Sequence, residues 1–226
     1  MNQATTPLAQ WLPEGKTLAD VAAALEQQVA RDFQPHWGIS ARVVAAAGSV
    51  ADAGCWSLMV LDDADQAGAL GYHDTDQAGN PVLKVFARDA LSAGEIVSVD
   101  LSHELLETLV DPFCNLCAQD ASGRVWAYEV CDAVEQQTYD IGGVTVSNFV
   151  LAEFFMARPA GAPPVALDFL GRLTRPFEIA SGGYLSFSHA GRWHQQFGGA
   201  ASGMRLKHRA LVRRAWPRAR SIGCGS

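Results

Sequence analysis

No aspartate or glutamate follows Glu178, although the chain holds 24 acidic residues in 226, and only 18% of its residues are charged. That scarcity of charge, beside 49% apolar residues, excludes a globally disordered chain. Long apolar runs are missing as well. No stretch approaches the roughly 20 uninterrupted apolar residues of a membrane-spanning helix, and residues 150–167 are broken by Glu153, Arg158 and several prolines and glycines. Residues 1–15 lack a basic patch followed by an apolar segment, so no export signal is read and a cytoplasmic protein without membrane association is expected. The five cysteines form an odd set without dense, regular spacing, which argues against a disulfide framework.

The missing acids make the charge asymmetric. Nine Lys or Arg face all 24 acids up to Glu178, and eight basic residues follow it. The expected organisation is one domain over residues 1–203, with a site-bearing core at about 39–150, and a basic tail over 204–226. Leu206, Ala210, Leu211 and Ala215 fall on one side of a helix in that tail. Arg205, Lys207, Arg209, Arg213 and Arg214 then admit two readings, docking onto an acidic protein surface, including a second copy of this chain, or neutralising phosphates of a nucleic acid.

Periodicity supplies a coarse α+β layout. Leu18, Val21, Ala22, Leu25, Val29 and Phe33 recur at helical spacing and predict an amphipathic helix over residues 17–33, closed by Gly38. Apolar, β-branched runs at 39–47, 56–61, 69–73 and 81–86 predict a small sheet, the last two joined by a turn-rich segment around Asp76. Strands are also expected at 125–130 and in a 139–149 hairpin with its turn at Gly142-Gly143. Residues 159–164 read as an exposed loop and 169–197 as β-rich; 151–156 fit a short helix or a strand.

The densest chemistry lies in Ser102-His103-Glu104-Leu105-Leu106-Glu107-Thr108-Leu109-Val110-Asp111-Pro112. At about 100° per residue, Leu101, Leu105, Leu106, Leu109 and Val110 cover one broad side of a helix. His103, Glu104, Glu107 and Asp111 occupy the opposite arc, read as a wet acidic stripe, and Pro112 stops the helix. A histidine and a second donor one turn apart, with a glutamate directly after the first, form the pattern that holds zinc in metallopeptidase helices. Here His103 takes the first ligand position, Glu107 stands where the second histidine would be, and Glu104 takes the place of the general base. A carboxylate in place of imidazole makes the donor set harder and more negative, so zinc is expected with another divalent cation open. Glu129 is the candidate third ligand. Asp132 could orient His103, and Asp111 competes as ligand or support. The bland alternative for the same residues is an ordinary solvated helix face.

Gly71-Tyr72-His73, residues 81–86, the Ser102 to Pro112 helix and Glu129-x-x-Asp132, in this order, resemble zincin-like proteins encoded by phages and prophages. The likeness covers about residues 69–149, and a looser one runs through Arg175-Pro176-Phe177-Glu178 and Gly182-Gly183-Tyr184. It implies an α+β zincin-like fold, with a small mixed sheet packed on the site helix and a β-rich C-terminal half. It further implies a zinc-dependent peptidase using a metal-activated water, in a bacterial cytoplasm. The alternative implication is a virion structural or assembly protein with a structural or vestigial metal site, whose partners are other virion proteins or copies of itself.

Two rival features stay open beside this. Cys114-x-x-Cys117 with Cys131 could form a thiolate zinc site, although small buried thiols are the commoner outcome for a single such pair. His73, His189 and His194 could each complete a site from a distance, His73 foremost because its strand leads into the helix.

Overall fold

Thr17 starts the first long helix by a reciprocal cap. Its hydroxyl accepts the Asp20 amide while the Asp20 carboxylate accepts the Thr17 amide. After a short α1 (Leu8–Trp11), α2 (Leu18–Gln27) runs on into a π-helical turn (Gln28–Phe33) and α3 (Gln34–Trp37). Gly38, at φ 68°, then closes the rod in the left-handed conformation that glycine adopts without a Cβ penalty. The computed structural model describes residues 8–46, 54–66 and 68–199. The basic tail, with Arg205, Lys207, Arg209, Arg213 and Arg214, lies outside them.

β1 (Ser57–Leu61), β2 (Gly71–Thr75) and β3 (Pro81–Phe86) form a mixed sheet in the order β1-β3-β2. β1 runs parallel to β3, and β2 pairs with it antiparallel, placing His73 opposite Leu83. α4 (Ala87–Ser92) leads into α5 (Val97–Val110), the helix that carries His103. Beyond it, β4 (Cys117–Gln119) and β5 (Val125–Ala127) join the later β8 (Tyr184–His189) and β9 (Arg192–Phe197) in an antiparallel sheet ordered β4-β5-β8-β9. β6 (Thr138–Ile141) and β7 (Val144–Ser147) form the hairpin, with Gly142 and Gly143 both at positive φ in its two-residue turn. The architecture is α+β. Among the described residues no helix is long and apolar enough to cross a membrane.

α5 organises the interior. It packs on β2 and β3 on one side and on β7 on the other, and of its fourteen residues only Leu109 escapes full burial. The stripe expected to be wet is therefore dry: His103 and Glu104 are each 1% exposed and Glu107 2%. A polar relay fastens the helix. Ser102 Oγ donates to Gln28 Oε1 (2.7 Å), and Gln28 Nε2 donates to the Ser147 carbonyl (2.9 Å). The Ser147 amide in turn donates to Ser102 Oγ (3.0 Å). Each buried polar group thus meets a partner, which offsets most of the cost of removing it from water. Beside this relay Phe33 meets Phe149 edge-to-face, and Phe149 stacks on Phe169.

Three expectations change. Residues 39–46 form no strand: Ile39, Ala41 and Val43 turn alternately toward the core, but no neighbouring strand pairs with them among the described residues. The 125–130 strand stops at Ala127, so Glu129 sits beyond its end in a segment that turns into a 3-10 helix at Asp132–Val134. Residues 151–156 settle as a 3-10 helix at Ala152–Phe155.

Candidate metal centre

His103, Glu104 and Glu107 leave α5 within a little more than one turn, and three elements close over them. His103 Nε2 meets Glu107 Oε1 at 2.8 Å, the contact that spacing of four residues on a helix favours. The same nitrogen lies 3.3 Å from Asp132 Oδ1, at the start of the 3-10 helix. Asp132 and Glu107 therefore share one ring nitrogen. Asp132 thus stands at His103, the residue it was expected to orient, but on the ring nitrogen that also meets Glu107. Glu107 Oε1 also accepts the amide of Cys131 at 3.2 Å, which holds residues 129–132 against the helix.

Glu104 faces the other way, toward the mixed sheet. Its Oε2 lies 3.4 Å from His73 Nδ1 on β2. Gly71 makes this possible. Gly71 and His73 are two apart on a strand and so share a face, and a Cβ on Gly71 would stand 2.9 Å from Glu104 Oε1 and 3.1 Å from the Lys84 carbonyl. Gly71→Ala is expected to push Glu104 away from His73. Cobalt titration should show weakened binding with the fold, read by far-UV circular dichroism, intact; unchanged binding would mean that Glu104 is not held by this contact.

His73 is held toward its protonated form by its neighbours. Burial opposes its charged form, but the Cys114 thiol and the Glu104 carboxylate, followed by the charge of Glu129, outweigh that and raise its pKa well above the ordinary histidine value.

Two sets of donors come together from these placements. His103, Glu107 and Cys131 bring one ligand atom each within 4.8 Å of one another, and His73, Glu104 and Glu107 do the same. Zinc bonded at about 2.0–2.3 Å to N, O and S donors sets its ligands well inside that separation, so small side-chain rotations suffice for either set to close on an ion. The donor chemistry fits: imidazole, carboxylate and thiolate suit zinc, and imidazole with two carboxylates suits zinc or a harder divalent ion.

Measured against the sequence reading, His103 and Glu107 stand together, and Glu104 is drawn into a ligand set with His73. Glu129, the expected third ligand, belongs to neither set; it is half-buried, and its charge acts on His73. Asp111, the alternative ligand or supporting group, stands in neither set; its two oxygens accept the amides of Asn115 (2.9 Å) and Leu116 (3.0 Å) and so shape the turn after α5. Cys131, weighed in the sequence only as a thiolate partner of Cys114 and Cys117 or as a small buried thiol, stands instead with His103 and Glu107. Nothing in its local pattern distinguishes it, since it reaches the site through the turn after β5. A Gly-x-His pair on one strand face was the available signal for His73. Cys117 is exposed on β4, and Cys114 lies beside His73 with its thiol 3.5 Å from the His73 carbonyl, so the pair does not act as a unit. His189 and His194 are on β8 and β9, and neither enters a ligand set.

The comparisons add no relative to this geometry: family models, curated proteins and solved structures all return no match for the chain.

Proposed function

We propose that this chain is a metal-binding protein of zincin-like build, with zinc as the ion and Glu107 as the centre's anchor. The observation that carries the reading is Glu107 itself: a carboxylate 2% exposed that stands in both histidine-containing donor sets. Burying carboxylates in a protein interior costs several kcal/mol per ion unless charge nearby compensates it, and a divalent ion supplies that compensation. The ion would also tie α5 to β2 and to residues 129–132. This supports a stabilising role, as in a virion or assembly protein of phage or prophage origin, the context suggested by the residue pattern of the α5 segment.

Peptide hydrolysis is the second reading. It is favoured by Glu104, which follows His103 directly, and by the half-buried Glu129 on the same side as His73. Zinc would supply Lewis acidity toward a substrate carbonyl. Within the chain, Glu104 would take the proton from the attacking water, and His73, 3.4 Å away, would hold its carboxylate in place.

Elemental analysis of the chain purified without chelators tests the first reading. Stoichiometric zinc is expected in the wild type and a reduced content in His103→Ala; a metal-free wild type would sink the proposal. For the second, peptidase activity on a peptide library that vanishes in Glu104→Gln supports hydrolysis. A rate that survives this substitution removes Glu104 as the base.

A further inference from the structure

We infer that Glu107 bridges two metal ions, so that the centre is dinuclear. This deepens the metal-binding proposal and rests on it. Two three-donor sets occupy the same interior, one of His103, Glu107 and Cys131 and one of His73, Glu104 and Glu107, and Glu107 is the residue common to both. A carboxylate has two oxygens and can give one to each ion. The remaining donors do not compete: His103 and Cys131 lie on the side of the 131–134 turn, His73 and Glu104 on the side of β2.

Charge points the same way. When both histidines act as neutral ligands, Glu104, Glu107, Asp132 and a Cys131 thiolate place four negative charges where each residue is 2% exposed or less. One divalent ion leaves two of those charges uncompensated, and two ions balance the set. His73 adds a separate indication. Its side chain is 5% exposed, and its Nε2 is buried and without a well-formed hydrogen bond. Polar atoms in such a position ordinarily find a partner.

The two positions differ in chemistry, which makes the inference testable ion by ion. The Cys131 position has a thiolate and is the softer; the His73 position has one nitrogen and two carboxylates and is the harder. Cobalt(II) serves as the probe, because thiolate ligation adds a charge-transfer absorption that nitrogen and oxygen ligation lacks. The full chain, stripped with a chelator and dialysed, is titrated with Co²⁺ and followed by calorimetry, native mass spectrometry and absorption.

Two equivalents are expected in the wild type, with the charge-transfer band present. Cys131→Ser should lose the band and retain one equivalent. His73→Asn should retain the band and one equivalent, and Glu104→Gln provides an independent change on the same side. A wild type that saturates at one equivalent overturns the dinuclear centre and leaves the metal-binding proposal standing. No bound cobalt overturns both. Two equivalents that survive unchanged in both Cys131→Ser and His73→Asn would place the ions elsewhere and also overturn the inference.

Discussion

Glu107→Ala is expected to abolish metal binding and to weaken the fold at the same time, while Glu107→Gln should separate the two effects. Alanine removes the nearer of the two carboxylates at His103 Nε2 and the acceptor of the Cys131 amide in one change. Leaving a buried amide without its acceptor costs about 1–3 kcal/mol. Glutamine keeps an oxygen for the Cys131 amide but removes the negative charge that an ion needs. The expected loss of affinity in either variant exceeds the roughly 10–100-fold typical of outer supporting groups, because the proposal makes Glu107 a direct donor. Urea unfolding and metal titration of both variants check this. Wild-type metal affinity in Glu107→Gln would remove Glu107 as a ligand, and wild-type stability in metal-free Glu107→Ala would show that its contacts carry no structural weight.

Gly183→Ala is expected to destabilise the protein by about 3 kcal/mol, the upper end of ordinary overpacking. Gly183 passes directly over the turn that presents Asp132. A Cβ there would press on the Ala133 carbonyl oxygen, and would lie 2.7 Å from the Ala133 carbonyl carbon and 2.8 Å from the Asp132 carbonyl oxygen. These are backbone atoms and cannot rotate aside. The same Ala133 carbonyl accepts the Ala180 amide at 2.9 Å, so displacing it also disturbs a packing bond. For a chain of this size the loss corresponds to a fall in melting temperature of roughly 6–12 °C, measurable by calorimetry. The variant should also bind metal more weakly, because Asp132 moves relative to His103. A melting temperature within a degree of the wild type would mean that the turn yields without cost.

Gly183 also illustrates which features were legible. Gly182-Gly183-Tyr184 stands out in the sequence as punctuation before a strand, and β8 does begin at Tyr184. What the glycine touches belongs to a turn about fifty residues earlier, and no local pattern carries that information. Residues 81–86 show the favourable case. Their β-branched, apolar character and flanking turns were enough to place β3 at Pro81–Phe86. Residues 39–46 show the opposite case. Their alternation survives as alternating burial, yet a strand also needs a partner edge, and propensity cannot supply one.

By itself the sequence determined that residues 18–33 are helical, that α5 stops before Pro112, that a glycine turn joins β6 to β7, and that His103 and Glu107 share a helix face. Each follows from interactions within a few residues: hydrogen bonds one turn apart, caps, and the limits on glycine and proline. Only the tertiary structure decided that the acidic face is buried, that His73 meets Glu104, that Asp111 shapes a turn, and that Cys131 rather than Glu129 stands beside His103 and Glu107. Periodicity records which side of a helix is polar, but not what will cover it. Here β2, β7 and the 131–134 turn close over α5, and the environment they make gives its carboxylates and histidines their chemistry.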